Sequence, residues 1–428
     1  MKKKIFYFKN QFLLFLQGDV HLKKRKIKTS IFYLYIYFSF FYFIIIFLFI
    51  KLLNKFLIIR FGILNSNRIG HFSIETELYL IKKKKFSYLK RKVIDIFCTE
   101  DFVCNYYLLR IINTDTIILP RFLISPIIYW MNKFKIREKI VQLPYVEDYG
   151  NLLEKNKPII KLSGSDFLLG AKKLKEFGVQ ENDKIVCLIV RDSAYLNKFF
   201  PFKNWSYHNY RDCEIDNYLK ACKKLSDLGY FVFRMGVVCN KSIKISDPKI
   251  IDYCNSNLRS DFLDVYIASR CTFGITSGTG YDSLINIFRK PILYTNYVPV
   301  GTMHVNSLRF LTIIKHHFSN KLNRYLSLSE IYDLNLSASF DGKDFKKKEI
   351  KLIENTEEEI ISSVIEFEKK ISKNNFKNTN LQNEFIDFLK QSHIKYGMQS
   401  DIFKLPSNKI YLSSMANSFL EKNSYLLK

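Results

Sequence analysis

The stretch from Asp261 to Pro299 constrains the fold more than any other part of the chain. It joins a short apolar run (Cys271 to Ile275), a Ser/Gly/Thr loop (Thr276 to Gly280), a helix-like segment (Tyr281 to Arg289) and a second apolar run (Pro291 to Thr295). That is a strand, a turn, a helix and a strand. Small hydroxyl and glycine residues fall where the helix begins, so backbone N–H groups and the positive end of the helix dipole face any anion placed there. A phosphate or diphosphate is the natural guest. The bland alternative is a turn that only joins a strand to a helix, since neither a Walker pattern nor a full GxGxxG is present.

The flanks extend the same grammar. Lys184 to Val190 (KIVCLIV) reads as a buried strand, Glu214 to Leu228 as an amphipathic helix ended by Gly229, and Tyr230 to Arg234 (YFVFR) as the next strand. Alternation of this kind predicts an α/β fold with a mostly parallel sheet covered by helices, and ligands in such sheets sit at the carboxyl ends of the strands. Three polar clusters fall there: Arg191-Asp192-Ser193, Arg234-Met235-Gly236 and Thr276 to Gly280.

The runs VCLIVRDSAYL, YRDCEIDNYLKACKKLSDLGYFVFRMG and DFLDVYIASRCTFGITSGTG followed by RKPILYTNYVP, with RIGHFSIETELYL from Arg68 onward, resemble a bacterial glycosyltransferase family associated with surface-polysaccharide synthesis. A more distant likeness is to fucosyltransferases, in which the first strand of the second domain also runs into a basic loop that holds donor phosphates. The likeness spans roughly Phe56 to Asp333. It implies a GT-B-like architecture of two Rossmann-like domains facing a cleft. On that reading residues 1–55 form a basic tail with a membrane-associated segment, 56–160 the acceptor-side domain, 161–340 the nucleotide-sugar domain, and 341–428 a charged helical extension.

The resemblance also assigns roles. Arg191 is the principal contact for the donor phosphates, with Arg234, Ser277, Gly278, Thr279 and Gly280 offering further donors; a plain salt bridge from Arg191 to Asp192 or Asp212 is the alternative. Arg68 and Gly70 fall at the acceptor or cleft side. His71 and Glu75 are placed to contact acceptor or supply a base, although a histidine near a helix start is also an ordinary polar surface residue. Asp192 is a third candidate catalytic group, and Asp264 is expected to cap or brace a helix. No DxD-like pair stands out, so transfer without a metal and without a cofactor is expected, the nucleotide-sugar being substrate. Oligomeric state is left open by the sequence.

A net charge of +27 would ordinarily point to nucleic acid or an anionic membrane surface. Here the basic residues are spread along a Lys-, Asn-, Ile- and Phe-rich chain with no recognisable nucleic-acid module, so nucleic acid is set aside and a basic surface facing anionic lipid is kept. Eight cysteines without CxxC or zinc-type spacing read as small buried hydrophobes in a reducing compartment, with no disulfides expected.

Ile31 to Ile50 is an uncharged apolar and aromatic run of about the length that crosses a bilayer. Lys23, Lys24, Arg25, Lys26 and Lys28 precede it, and Lys51, Lys55 and Arg60 follow, so charge does not fix its orientation. It can span, dip in together with Phe12 to Leu16, lie in the interface, or pack on the protein itself. A membrane-held enzyme with a cytoplasmic catalytic part is expected, and a chain begun near Lys55 is expected to be soluble and still to bind donor. Phe56 to Phe61, Val93 to Phe97 and Thr116 to Leu119 read as strands, Glu100 to Ile112 as a helix, and Asp344 to Lys373 as a helical, mixed-charge segment. The expected function is sugar transfer from a nucleotide-sugar to a surface-glycan or lipid-linked acceptor. Its rivals are a pyruvyl-transferase-like enzyme and an inactive membrane scaffold of the same fold.

Overall fold

A computed structural model describes residues 20–84, 92–144, 148, 151–396 and 411–428, leaving aside the side chains of 20–34 and 36. Phe12 to Leu16 and the side chains of the flank from Lys23 to Lys28 therefore lie outside the described residues. The principal helices are α1 (Val20–Leu53), α2 (Ile69–Lys84), α3 (Tyr106–Ile112), α4 (Arg121–Lys133), α5 (Gly164–Leu174), α6 (Leu219–Asp227), α7 (Asp261–Arg270), α8 (Gly280–Ile287), α9 (Glu357–Ser372) and α10 (Asn380–Tyr396). The described chain forms two compact units: 20–64, 92–101 and 116–143 make the first, and 65–84, 102–115 and the residues from 144 onward make the second.

In the first unit β1 (Leu57–Leu64), β2 (Lys92–Thr99), β3 (Ile117–Ile118) and β4 (Ile140–Val141) form a parallel sheet in the order β3-β2-β1-β4. Register sets Arg60 opposite Asp95. The guanidinium grips the buried carboxylate with two hydrogen bonds of 2.7 and 2.9 Å, the geometry in which an ion pair inside a sheet holds its charge. Phe43 and Ile50 of α1 are buried against Phe61, Ile124, Ile127 and Met131. The inner face of α1 is thus part of the core, so a chain begun near Lys55 lacks one wall of this unit. Among the described residues no helix is long and apolar enough to cross a membrane.

In the second unit β5 (Lys184–Ile189), β6 (Tyr230–Arg234), β7 (Ile250–Ile251), β8 (Phe273–Thr276), β9 (Ile292–Tyr297) and β10 (Phe310–Ile314) are all parallel, in the order β10-β9-β8-β5-β6-β7. The chain runs outward from β5 through β6 to β7, then returns beside β5 and runs the other way. Strand order therefore reverses between β5 and β8, the doubly wound arrangement whose crevice takes ligands. β6 and β8 are buried along their whole length, as expected of parallel strands covered on both faces. A small antiparallel sheet follows, made of β11 (His316–Ser319), β12 (Arg324–Tyr325) and β13 (Ile350–Ile353) in the order β12-β11-β13.

Three expectations change. Asp344 to Lys373 is not one helical stretch: Ile350–Ile353 pairs with β11, and a new helix starts at Thr356, whose side chain and that of Glu359 cap each other's backbone. The helix expected over Glu100 to Ile112 begins only at Tyr106, because Asn105 takes an extended conformation and accepts from the Leu108 N–H. Cys239 and Cys254 form a disulfide, against the expectation of none. Cys239 lies in the β6–β7 connection and Cys254 just beyond β7, and Arg234 folds that connection back by donating to the Lys241 carbonyl at 2.6 Å. The other six cysteines form no disulfide, and all but Cys104 are buried.

Candidate anion-binding site at the strand-order reversal

The turn after β8 and the segment after β5 are built as one piece. The Arg191 N–H donates to Ser277 Oγ at 2.8 Å, and the Ser277 N–H donates to the Ile189 carbonyl at 3.0 Å. Gly278 sits at φ +75°, where a side chain would be strained, and its N–H donates to Thr276 Oγ1 at 3.1 Å. Thr279 and Asp282 then cap the start of α8 reciprocally. The start of α2 reaches the same place: a Cβ on Gly70 would lie 2.8 Å from Gly280 Cα. Two helices thus begin in backbone contact, and only glycine permits that approach. Their positive ends share one locus.

A cavity of about 420 Å³ opens there, a size suited to a small ligand. Of the residues expected from sequence, Arg68, Gly70, His71, Arg191, Asp192, Gly278, Thr279 and Gly280 line it. Glu75, Arg234 and Ser277 do not. Glu75 is buried behind His71, accepting from Nδ1 at 2.7 Å and from the Asn65 amide. Ser277 spends its hydroxyl on Arg191. Arg234 is buried and directed to Lys241 and Asp252, bracing the β6–β7 connection. Asp192 uses both oxygens on backbone, accepting from Ala194 at 2.9 Å and Asn240 at 2.8 Å. Asp264 is paired with Arg259 away from the cavity, and burial raises it to about 6.

The segment Lys203 to Asp212 supplies what sequence reading missed. Trp205, His208 and Arg211 also line the cavity, and Arg211 donates to the Gly278 carbonyl. Arg68 lies 5.5 Å over the Trp205 ring, and Lys203 lies 4.3 Å from it. Arg191 Nε is 3.1 Å from Asp212 Oδ1 but out of hydrogen-bond alignment, so Asp212 and not Asp192 is its ionic partner. Among the described residues Arg191 Nε, Arg211 Nε and His208 Nδ1 are buried without a hydrogen-bond partner. Burial, then the charges of Arg191, Arg211, Arg68 and Lys203, lower His208 to about 4, so it is neutral at pH 7. Burial and the neighbouring Arg211 likewise push Arg191 below its ordinary value. Asp282, also on the cavity wall, is raised to about 6 by burial. Guanidinium groups held close together beside a helix start, with their Nε atoms lacking a hydrogen-bond partner, suit an anion.

No protein-family model and no curated protein matches the chain. Among solved structures it is similar to the ADP-heptose LPS heptosyltransferase II of E. coli, with 12% identity over 60% of this chain and 90% of that one and a TM-score of 0.36. It is similar also to a glycosyl transferase family 9 protein from Veillonella parvula, with 11% identity, 73% and 97% coverage and a TM-score of 0.39. A third likeness is to the spinosyn forosaminyltransferase SpnP, with 10% identity, 74% and 95% coverage and a TM-score of 0.25.

Proposed function

We propose that this chain is a glycosyltransferase, moving a sugar from a nucleotide-sugar donor to a glycan or lipid-linked acceptor at the cytoplasmic face of a membrane, without a metal. The observation that carries the reading is the convergence of Arg191, Arg211 and the Gly278–Gly280 turn on one cavity at the strand-order reversal. The sequence resemblance over Phe56 to Asp333 supplies the nucleotide-sugar class and the GT-B-like arrangement.

As the bond from the anomeric carbon to the donor diphosphate lengthens, negative charge grows on the leaving oxygen. Arg191, Arg211 and the backbone N–H groups at the start of α8 are fixed in advance to stabilise it, which is the largest available lever on such a barrier. His71 takes the proton from the attacking acceptor hydroxyl, and Glu75, buried and bonded to Nδ1, holds the ring in place. His208, neutral at pH 7 beside the guanidinium groups, gains a neighbour that favours its protonation when a diphosphate binds.

Calorimetry with uridine, guanosine, cytidine and thymidine diphosphates and their sugar conjugates tests this. At least one should bind, and Arg191→Ala should lower transfer by about 2 kcal/mol or more while leaving the thermal transition in place. Binding of phosphoenolpyruvate in place of every nucleotide would make the chain a pyruvyl-transferase-like enzyme. A folded protein that binds none of them would be a scaffold.

A further inference from the structure

We propose that α1 seats the first unit on an anionic phospholipid bilayer by one face only, lying in the interface without crossing it. The proposal rests on the membrane part of the function above and specifies how the attachment is made. The observation behind it is a division of one helix into two apolar faces. Tyr37, Phe38, Phe41, Ile45, Leu48, Phe49 and Leu52 recur at helical spacing along one side, and from 55% to 73% of each is exposed. Over the 15 helical steps from the first to the last, the stripe is about 22 Å long. Large apolar side chains gathered on one continuous face mark a surface that something else covers.

The opposite face excludes a spanning helix. Phe43 and Ile50 are buried in the core of the unit, Phe40 packs 4.7 Å from the Trp130 ring, and the Trp130 indole donates to Ser39 at 3.3 Å. Lipid cannot surround a helix whose other side is occupied by α4 and β1. An interfacial helix needs lipid on one side alone, and aromatic side chains suit the headgroup boundary.

Charge identifies the occupant. Lys51 and Lys55 are exposed and share with Leu48, Leu52, Leu53 and Phe56 a hollow of about 660 Å³ at the end of the stripe. Aliphatic walls carrying two ammonium groups match a lipid phosphate with the start of its acyl chain. A net charge of +27 opposes pairing with a second copy and favours an anionic surface.

Sedimentation of the full chain with vesicles tests the assignment, using phosphatidylcholine alone and phosphatidylcholine mixed with phosphatidylglycerol. The wild type should sediment preferentially with the mixture. Replacing Phe38, Phe41, Ile45 and Leu48 together by Ser should lower the partition coefficient by ~100-fold or more, four exposed apolar groups being lost. The pair Lys51→Glu and Lys55→Glu should abolish the preference for phosphatidylglycerol. Pyrophosphate binding by calorimetry should be unchanged in both variants, so a failure of the membrane surface stays distinct from a failure of the anion site. Undiminished sedimentation of the four-Ser variant, or a folded wild type left in the supernatant, overturns the proposal. So does a wild-type dimer in sedimentation velocity that the four-Ser variant dissolves, which would make the occupant a second copy.

Discussion

The two units differ in where their departures from the ordinary distribution of residues concentrate. The first leaves large apolar side chains outside, along α1 and at Phe56, Phe122 and Phe134. The second puts charge inside: Glu77, Arg234, Asp264, Asp282 and Lys315 are all buried. Exposed leucines or buried polar groups taken singly mean little, but a concentrated departure marks a surface or a site that acts on something else. The contrast teaches where to look. The proposed membrane contact rests on the outside of the first unit, and the proposed anion site on the interior of the second.

Breaking the interior charge of the second unit should have the largest effect. Glu77 is fully buried on α2, accepts at 2.9 Å from both the Ile159 and Ile160 N–H groups, and pairs at 2.7 Å with Arg289 just beyond α8. Glu77→Ala strands a guanidinium and two backbone donors, and should cost about 3–5 kcal/mol in denaturant unfolding. Because Glu77 and the Gly70–Gly280 contact together hold α2 beside α8, the same variant should weaken pyrophosphate binding. Full stability in this variant would show that the charge is carried by solvent and not by the pair.

The first unit offers a sharper contrast within one helix. Phe43→Ala removes a buried ring from the core and should cost roughly 3–5 kcal/mol, whereas Phe41→Ala, on the exposed face, should change the unfolding midpoint of detergent-free protein by less than about 0.5 kcal/mol. Equal losses at the two positions would mean that the exposed stripe is covered within the chain itself.

Much of this was legible in the sequence, for reasons that differ by region. Tyr230–Arg234 forms the expected strand to the residue, because a central parallel strand is one apolar run and Gly229, at φ +87°, stops the preceding helix. The Thr276–Gly280 turn and Arg191 were legible because a strand end, a hydroxyl-rich turn and a helix start follow one another along the chain. His208 and Arg211 were not, since they lie in a 3-10 segment, Ser206–Arg211, that has no strand or helix periodicity to place it. The disulfide was illegible for the same reason: its cysteines are 15 apart and meet only through the return of a loop. The two faces of α1 read as one uniform apolar run, because the core that distinguishes them is supplied by α4, far along the chain.

The smallest expected effect is a shift of one proton, and it tests the interior charge most directly. His208 titrates at about 4 in the folded chain against an ordinary 6.5, so between those values the unfolded chain holds a proton that the folded one refuses. Its contribution to stability is complete above pH 6.5 and is lost as the pH falls toward 4. Asp264 and Asp282, each raised to about 6, act in the opposite sense below that value, so bulk acid unfolding cannot isolate the histidine. Histidine-selective NMR can, with His208→Asn identifying the resonance. Burial depresses the ring most and the cationic field adds to it; pyrophosphate bound among Arg191, Arg211 and Arg68 cancels the second part, and the resonance should then titrate above 4. Binding near pH 5 should also take up protons, visible as a dependence of the calorimetric heat on the ionisation enthalpy of the buffer. A resonance that keeps its titration point in saturating pyrophosphate would place the anion away from this cluster, and with it the contrast between the two units would lose its chemical half.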